Sequence, residues 1–167
     1  MKPILETISL EMIRLAEFDY SEAQLQAKWF GNEPATNETI QKVEEKLKVS
    51  LPEDYKEFLS ITNGFHAFSD VEPTFHPVET IDYLRTIDRE FIKIWRETGN
   101  EEIADVLAQS IVVAGMNDEQ LYLLIPPSEE CKNWRYWKFA SWIPGEEAFD
   151  SLKHYFKDTL SYLKGDD

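Results

Sequence analysis

The stretch from Leu51 to Phe65 constrains the fold of this chain more than any other. Pro52 suits the first position of a helix, where a missing N–H costs nothing and φ is already fixed near the helical value. Glu53 and Asp54 follow in the first turn, where negative charge meets the positive end of the helix dipole. Tyr55, Phe58 and Leu59 fall at i, i+3 and i+4 and form one apolar stripe. Gly64 stands where a left-handed residue closes a helix, and Phe65 can fold back onto its last turn. The local reading is a short, capped helix that faces a core. None of its side chains has an arrangement that does chemistry.

The same residues carry a resemblance. Leu51, Pro52, Asp54, Tyr55, Phe58, Leu59, Asn63, Gly64 and Phe65 follow Pro34-Ala35-Thr36 and an amphipathic helix bearing Ile40, Val43 and Leu47. This pattern resembles the SUKH superfamily, which includes yeast cell-wall-synthesis regulators and bacterial immunity proteins against polymorphic toxins. The resemblance spans residues 34–165 in the order of elements and is specific in motif over 34–65. It departs at Thr39, where relatives often place an acidic residue that closes a capping box with the threonine three positions earlier. The resemblance implies an α+β fold, with a central, mostly antiparallel sheet flanked by helices. It also implies that residues 34–167 form the SUKH-like domain; residues 1–33 precede it as a helical extension expected to pack on it, because Trp29 and Phe30 are costly to expose, so that the whole is a single domain.

Composition and charge narrow the function. With 43% hydrophobic and 13% aromatic residues, 167 residues can bury a core without metals or disulfides. Cys131 is the one cysteine, so no internal disulfide forms and a reducing cytoplasm is the expected setting. The first residues, interrupted by Glu6 and Glu11, lack the apolar core of a signal peptide, and no run is long enough to span a bilayer. Thirty-two acidic against seventeen basic residues leave a net charge of −15. Such a field repels nucleic acid and anionic membranes and attracts a basic partner.

Along the chain, apolar spacing predicts helices over 4–16, from Thr36 to about Lys48, over 79–97 and from Phe149 to Leu163, with a brief one around Ile103 to Leu107. Tyr20 to Phe30 adds helical content, and Trp29 and Phe30 are too apolar to stand free. Short strands are expected at 66–68 and 74–76, limited by Pro73 and Pro77. Ile111–Ala114 and Leu121–Ile125 form a hairpin, and Tyr136 to Trp142 makes a further strand that Pro144-Gly145 turns. Helices, then antiparallel strands, then a closing helix make an α+β order.

Catalytic and metal-binding patterns are missing. His66, His76 and His154 lack the i, i+4 spacing of a helical metal site, and Cys131 has no second thiol to join it. No nucleophile elbow, Walker loop or dinucleotide-binding loop is present. No catalytic residue, metal or cofactor is therefore assigned, and the chain reads as non-enzymatic. The stretch from Cys131 to Trp142 is rich in aromatics, with Trp137 and Phe139 on one strand face and Trp134 and Tyr136 on the other. One face lines a core. The other is either covered by the N-terminal helix or open, and if open it joins Trp134 and Tyr136 to the carboxylates of Glu129, Glu130, Glu146 and Glu147. Aromatic anchors within an acidic rim suit a basic protein partner. The resemblance implies two functions, with which the charge is compatible. One is a cytoplasmic bacterial immunity protein that binds a cognate toxin, a basic nuclease, through its acidic surface; the alternative is a regulatory or scaffold interaction module.

Overall fold

The computed structural model describes residues 1–16, 19–69, 71–116, 118–129, 131–140 and 147–165. The helix read from Leu51 to Phe65 is present as α4 (Glu53–Ile61), with Tyr55, Phe58 and Leu59 fully buried. Pro52 lies one position outside it, with extended backbone, and its carbonyl accepts the Lys56 amide at 3.0 Å. Before it come α1 (Lys2–Leu15), α2 (Glu22–Ala27) and α3 (Asn37–Leu47). Thr36 caps α3 by accepting the Thr39 amide at 3.1 Å. The Thr39 hydroxyl, where a capping box would place a carboxylate, instead meets the Thr36 hydroxyl at 2.9 Å.

Among the described residues, five strands form one antiparallel sheet in the order of the chain. They are β1 (Asp82–Tyr83), β2 (Ile111–Ala114), β3 (Gln120–Ile125), β4 (Arg135–Ala140) and β5 (Glu147–Phe149). Three further helices, α5 (Leu84–Ile87), α6 (Arg89–Glu97) and α7 (Glu101–Gln109), precede β2, and α8 (Leu152–Lys164) closes the chain. The α+β architecture expected from the sequence is thus the observed one. The hairpin of β2 and β3 turns at Gly115, whose φ of +83° favours glycine; an added Cβ there would overlap the Gln120 carbonyl.

At β2 and β3 both faces of the sheet are buried, and this explains the nearly unbroken apolar runs of these two strands. One face carries Tyr122, Leu124 and Tyr136 into a core shared with α4, α8 and the buried stripe Leu5, Ile8 and Met12 of α1. At its centre Phe75 meets Phe58, Tyr122 and Phe156 with ring centroids 5.3 Å apart in each case. Pairs of this kind add roughly 0.5–1.5 kcal/mol each beyond their buried area. The other face carries Leu123, Ile125, Trp137 and Phe139 against Leu84, Ile92, Ala104 and Leu107. Phe91 and Trp95 pack edge-on to Phe139 at 6.0 and 5.7 Å. Helix α1 lies on α8, and Phe30, 1% exposed, is drawn into the first core.

Several local expectations are corrected. The helix read over 79–97 is a 3-10 turn (Val78–Thr80), then β1, α5 and α6. Asp88 causes the last break, because its side chain accepts the Phe91 amide at 2.9 Å and starts a new helix. The strands expected at 66–68 and 74–76 shrink to single bridges of Phe65 to Phe75 and Phe75 to Ala114. Pro73 and Pro77, which lack donors, bound the second of them. Phe149 belongs to β5, not to the final helix. Ser141 and Trp142 of the strand read over 136–142, and the turn at Pro144-Gly145, lie outside the described residues.

Gly64 is needed for a different reason from the one its position suggests. Thr62 ends α4 in an extended conformation, and Gly64 follows with φ +109°. A Cβ on it would stand 2.7 Å from Asn32 Nδ2 and 2.8 Å from the Phe75 carbonyl oxygen. Glycine here permits the backbone of 63–65 to pass against Phe75. Beside it, Asn63 Oδ1 accepts the Val78 amide at 2.7 Å and Nδ2 donates to Glu79 at 2.8 Å.

Candidate partner-binding face

The structure separates the residues that the sequence grouped at β4. Tyr136 is 1% exposed and its hydroxyl donates to Asp54 Oδ1 at 2.7 Å. It is a core residue, not a surface anchor, because α4 and α8 cover its side of the sheet. Burial first, and then the Asp54 charge, push the Tyr136 pKa far up, so the hydroxyl stays protonated and donates. Trp134 is half-buried against the same core just before β4. Glu129 is exposed in the β3–β4 connection, while Glu130 and Glu146 lie outside the described residues. Glu147, on β5, pairs directly with Lys138. Trp134 and Lys138 are four residues apart along an extended chain, about 13 Å at 3.3 Å per residue. Glu129 with Trp134, and Glu147, therefore occupy different ends of β4.

Asp54 joins three elements. Its Oδ1 accepts from Tyr136 and from the Tyr55 amide at 3.0 Å, while Oδ2 accepts the Leu152 amide at 3.0 Å. Leu152 opens α8, so the carboxylate satisfies one of that helix's free amides and faces its positive end. Of the motif residues, then, Leu51, Tyr55, Phe58 and Leu59 fill the core, Pro52 starts the helix, and Asp54, Asn63 and Gly64 fix its connections.

A polar cluster that the sequence reading passed over lies at the other end of β4. Strand alternation puts Lys138 on the same face as Tyr136, pointing inward. Its ammonium bridges Glu72 Oε1 at 3.1 Å and Glu147 Oε2 at 3.0 Å, and the Tyr155 hydroxyl donates to Glu72 Oε2 at 3.0 Å. The Lys138 and Glu72 side chains are only 14% and 12% exposed. Burial works against the ammonium, but the two carboxylates outweigh it and hold the Lys138 pKa above the ordinary lysine value. A lysine so held is a fixed positive charge at neutral pH, not a base or nucleophile. The available signal was a lysine at a core-facing position of a strand. Next to this cluster a cleft of about 390 Å³ opens between the sheet and α8, with Phe68, Val71 and Tyr162 on its walls.

The charge is unevenly spread. A groove along α5 and α6 is lined by Arg85, Arg89, Lys93 and Arg96, of which Arg96 pairs with Asp105 and Lys93 with Glu90 and Glu97. No group of three or more His, Cys, Asp or Glu side chains among the described residues is placed to hold a metal ion. His76 Nε2 accepts the Met116 amide at 2.8 Å and is thereby occupied. No helix among the described residues is long and apolar enough to cross a membrane.

Fold and surface together define an acidic α+β domain whose inward polar groups serve mainly to tie its elements together. Residues 34–164, more than three quarters of the chain, match the model of the SMI1 / KNR4 family (SUKH-1), and the chain belongs to that family. No curated protein matches it.

Proposed function

We propose that this is a non-enzymatic immunity protein that neutralises a cognate polymorphic toxin, a basic nuclease, by binding it in the bacterial cytoplasm. Membership of the SUKH-1 family carries the reading, since the resemblance extends to immunity proteins of that superfamily. The net charge of −15 supports it, because an acidic inhibitor matches a cleft built to hold phosphate. Residues 34–167 are read as the domain that binds, with 1–33 as its extension. Glu129, Glu147 and the half-buried Trp134 are the proposed contacts from the β4 region, and Tyr136 is not among them.

Co-expression with the toxin domain encoded beside this chain tests the proposal. Growth is expected to be rescued, with formation of a tight, specific complex. The association rate is expected to fall as salt rises, because the screening length shrinks from about 10 Å at 0.1 M to about 3 Å at 1 M. Glu147→Lys should slow association further, and Trp134→Ala should mainly speed dissociation. A salt-independent association rate removes the electrostatic argument. Absence of both rescue and binding moves the protein to the regulatory or scaffold class.

A further inference from the structure

We propose that the groove along α5 and α6 is a docking site for a short acidic segment of a protein partner, whose carboxylates are held by Arg85 and Arg89. The proposal goes beyond the immunity reading and does not rest on it, since a basic cleft would be repelled here.

The starting observation is an imbalance of charge. The chain has thirty-two acidic and seventeen basic residues, so a cation on its surface should find a carboxylate. Along this groove Lys93 and Arg96 do, in Glu90, Glu97 and Asp105. Arg85 and Arg89 line the same groove, are exposed, and pair with no carboxylate among the described residues. They stand four positions apart, where like charges on successive turns repel. Both are held by backbone instead. Arg85 Nη1 donates to the Ala108 carbonyl near the end of α7, at 2.7 Å, and its guanidinium carbon lies 3.9 Å from the centre of the Tyr83 ring. Arg89 Nε donates to the Arg85 carbonyl at 3.1 Å.

Capping a helix end accounts for one N–H of each side chain and leaves the others unexplained. A guanidinium has five donors, and Nη1 and Nη2 of Arg89 keep the parallel fork that a carboxylate accepts in bidentate fashion. The carbonyl bonds and the Tyr83 ring already orient both side chains, so less rotamer freedom is lost when an anion binds. The groove has a volume of about 500 Å³, with Ile92 and Ala108 among its lining residues as apolar surface for aliphatic carbons.

The pattern of charge selects a protein segment over a polyanion. A nucleic acid would set its regularly spaced phosphates against Glu90, Glu97 and Asp105 and against the net charge of −15, and an anionic membrane would meet the same field. A protein segment can place carboxylates at the two free guanidiniums and neutral residues beside Lys93 and Arg96, whose charge is already cancelled.

The test is a titration of acetyl-(Glu-Ala)₃-amide into the full ¹⁵N-labelled chain. The peptide with glutamine in place of glutamate, inorganic phosphate and a short single-stranded DNA serve as controls. Saturable shifts of the backbone amides of α5 and α6 are expected with the glutamate peptide, at millimolar affinity that weakens as salt rises, and none with the glutamine peptide. Arg85→Gln and Arg89→Gln should each weaken binding about fivefold, the upper range for an exposed ion pair. Arg89→Lys, which keeps the charge and loses the fork, should fall between Arg89→Gln and the wild type. Lys93→Gln should change binding by no more than about twofold, because that charge is already paired. Arg89→Gln alters an exposed side chain and should melt close to the wild type. Equal binding of the two peptides, or binding unaffected by both glutamine variants, overturns the proposal. So does phosphate binding with the same affinity, which would mean an adventitious ion only, or tighter binding of the DNA. Self-association that Arg89→Gln abolishes would assign the groove to a second copy of this chain and overturn it as well. Rescue from a toxin plays no part in this titration, so the docking site and the immunity reading can each fail alone.

Discussion

Removal of the Asp54 carboxylate is the sharpest test of how this fold is held together. Asp54→Ala takes acceptors from two donors that cannot reach water, the hydroxyl of Tyr136, 1% exposed, and the amide of Leu152, whose residue is fully buried. An orphaned buried donor costs about 1–3 kcal/mol, and bonds to a charged acceptor lie at the upper end. Two of them put the variant about 3–5 kcal/mol below the wild type. In a chain of this length each kcal/mol lowers the melting midpoint by about 2–4 °C, so a drop of about 6–20 °C is expected. Asp54→Asn keeps one acceptor oxygen and should lose about half as much. Tyr136→Phe removes the donor with its need and should cost only about 1 kcal/mol. The double variant Asp54→Ala with Tyr136→Phe should then be less destabilised than the sum of the single changes by about 1–2 kcal/mol. Urea denaturation of the four proteins measures this cycle. An Asp54→Ala loss below about 1 kcal/mol, or strict additivity with Tyr136→Phe, would refute the linking role of Asp54.

Gly64→Ala should cost about 3 kcal/mol or more in the same assay, because positive φ and contacts under 3 Å to Asn32 and the Phe75 backbone act together; a wild-type midpoint would show the turn to be free. Tyr55→Phe should melt at or above the wild type, since the Tyr55 hydroxyl is buried without a partner, and a loss of more than about 1 kcal/mol would reveal a bond. Burial lowers the His76 pKa against the opposing charge of Asp118, so its neutral form favours folding above the ordinary histidine value and this contribution is lost as pH falls. Between pH 7.5 and 5.5 the wild type should therefore lose more stability than His76→Gln, and equal losses would contradict the reading. Chelation with EDTA should leave the melting midpoint unchanged; a fall of several degrees would mean that an ion contributes to the fold.

What could be read in the sequence was what its local chemistry determines. Helix α4 was legible because its apolar stripe and the acidic residues of its first turn lie within nine residues, Glu53–Ile61. Asp54 was read as a dipole partner and no more, since its bonds reach Tyr136 and Leu152, 82 and 98 positions away. Asp88 escaped because hydrophobic spacing continues through it, while a capping side chain acts on a single turn. The two residues of β1 and three of β5 exist as strands only because β2 and β4 lie beside them. Tyr136 was misplaced for a different reason: alternation along β4 divides the side chains into two sets without saying which is covered. Leu121 to Ile125, apolar on both parities, already indicated a sheet buried on both faces.

The same consideration bears on the candidate site. On a sheet face otherwise filled by Tyr122, Leu124 and Tyr136, the polar residues Gln120 and Lys138 stand out, and the pairings Gln120 with Ala140 and Tyr122 with Lys138 make them diagonal neighbours. They differ in how their polar atoms are satisfied. Lys138 has two carboxylates inside the protein, so its burial is explained by the fold alone. The Gln120 oxygen has none, and a leucine in its place would pack the same position without that penalty. The fold accounts for Lys138, whereas the Gln120 oxygen, like the Tyr122 hydroxyl on the same face, is a local cost, so Gln120→Leu should melt no lower than the wild type, and a fall of several degrees would show that the amide has a partner.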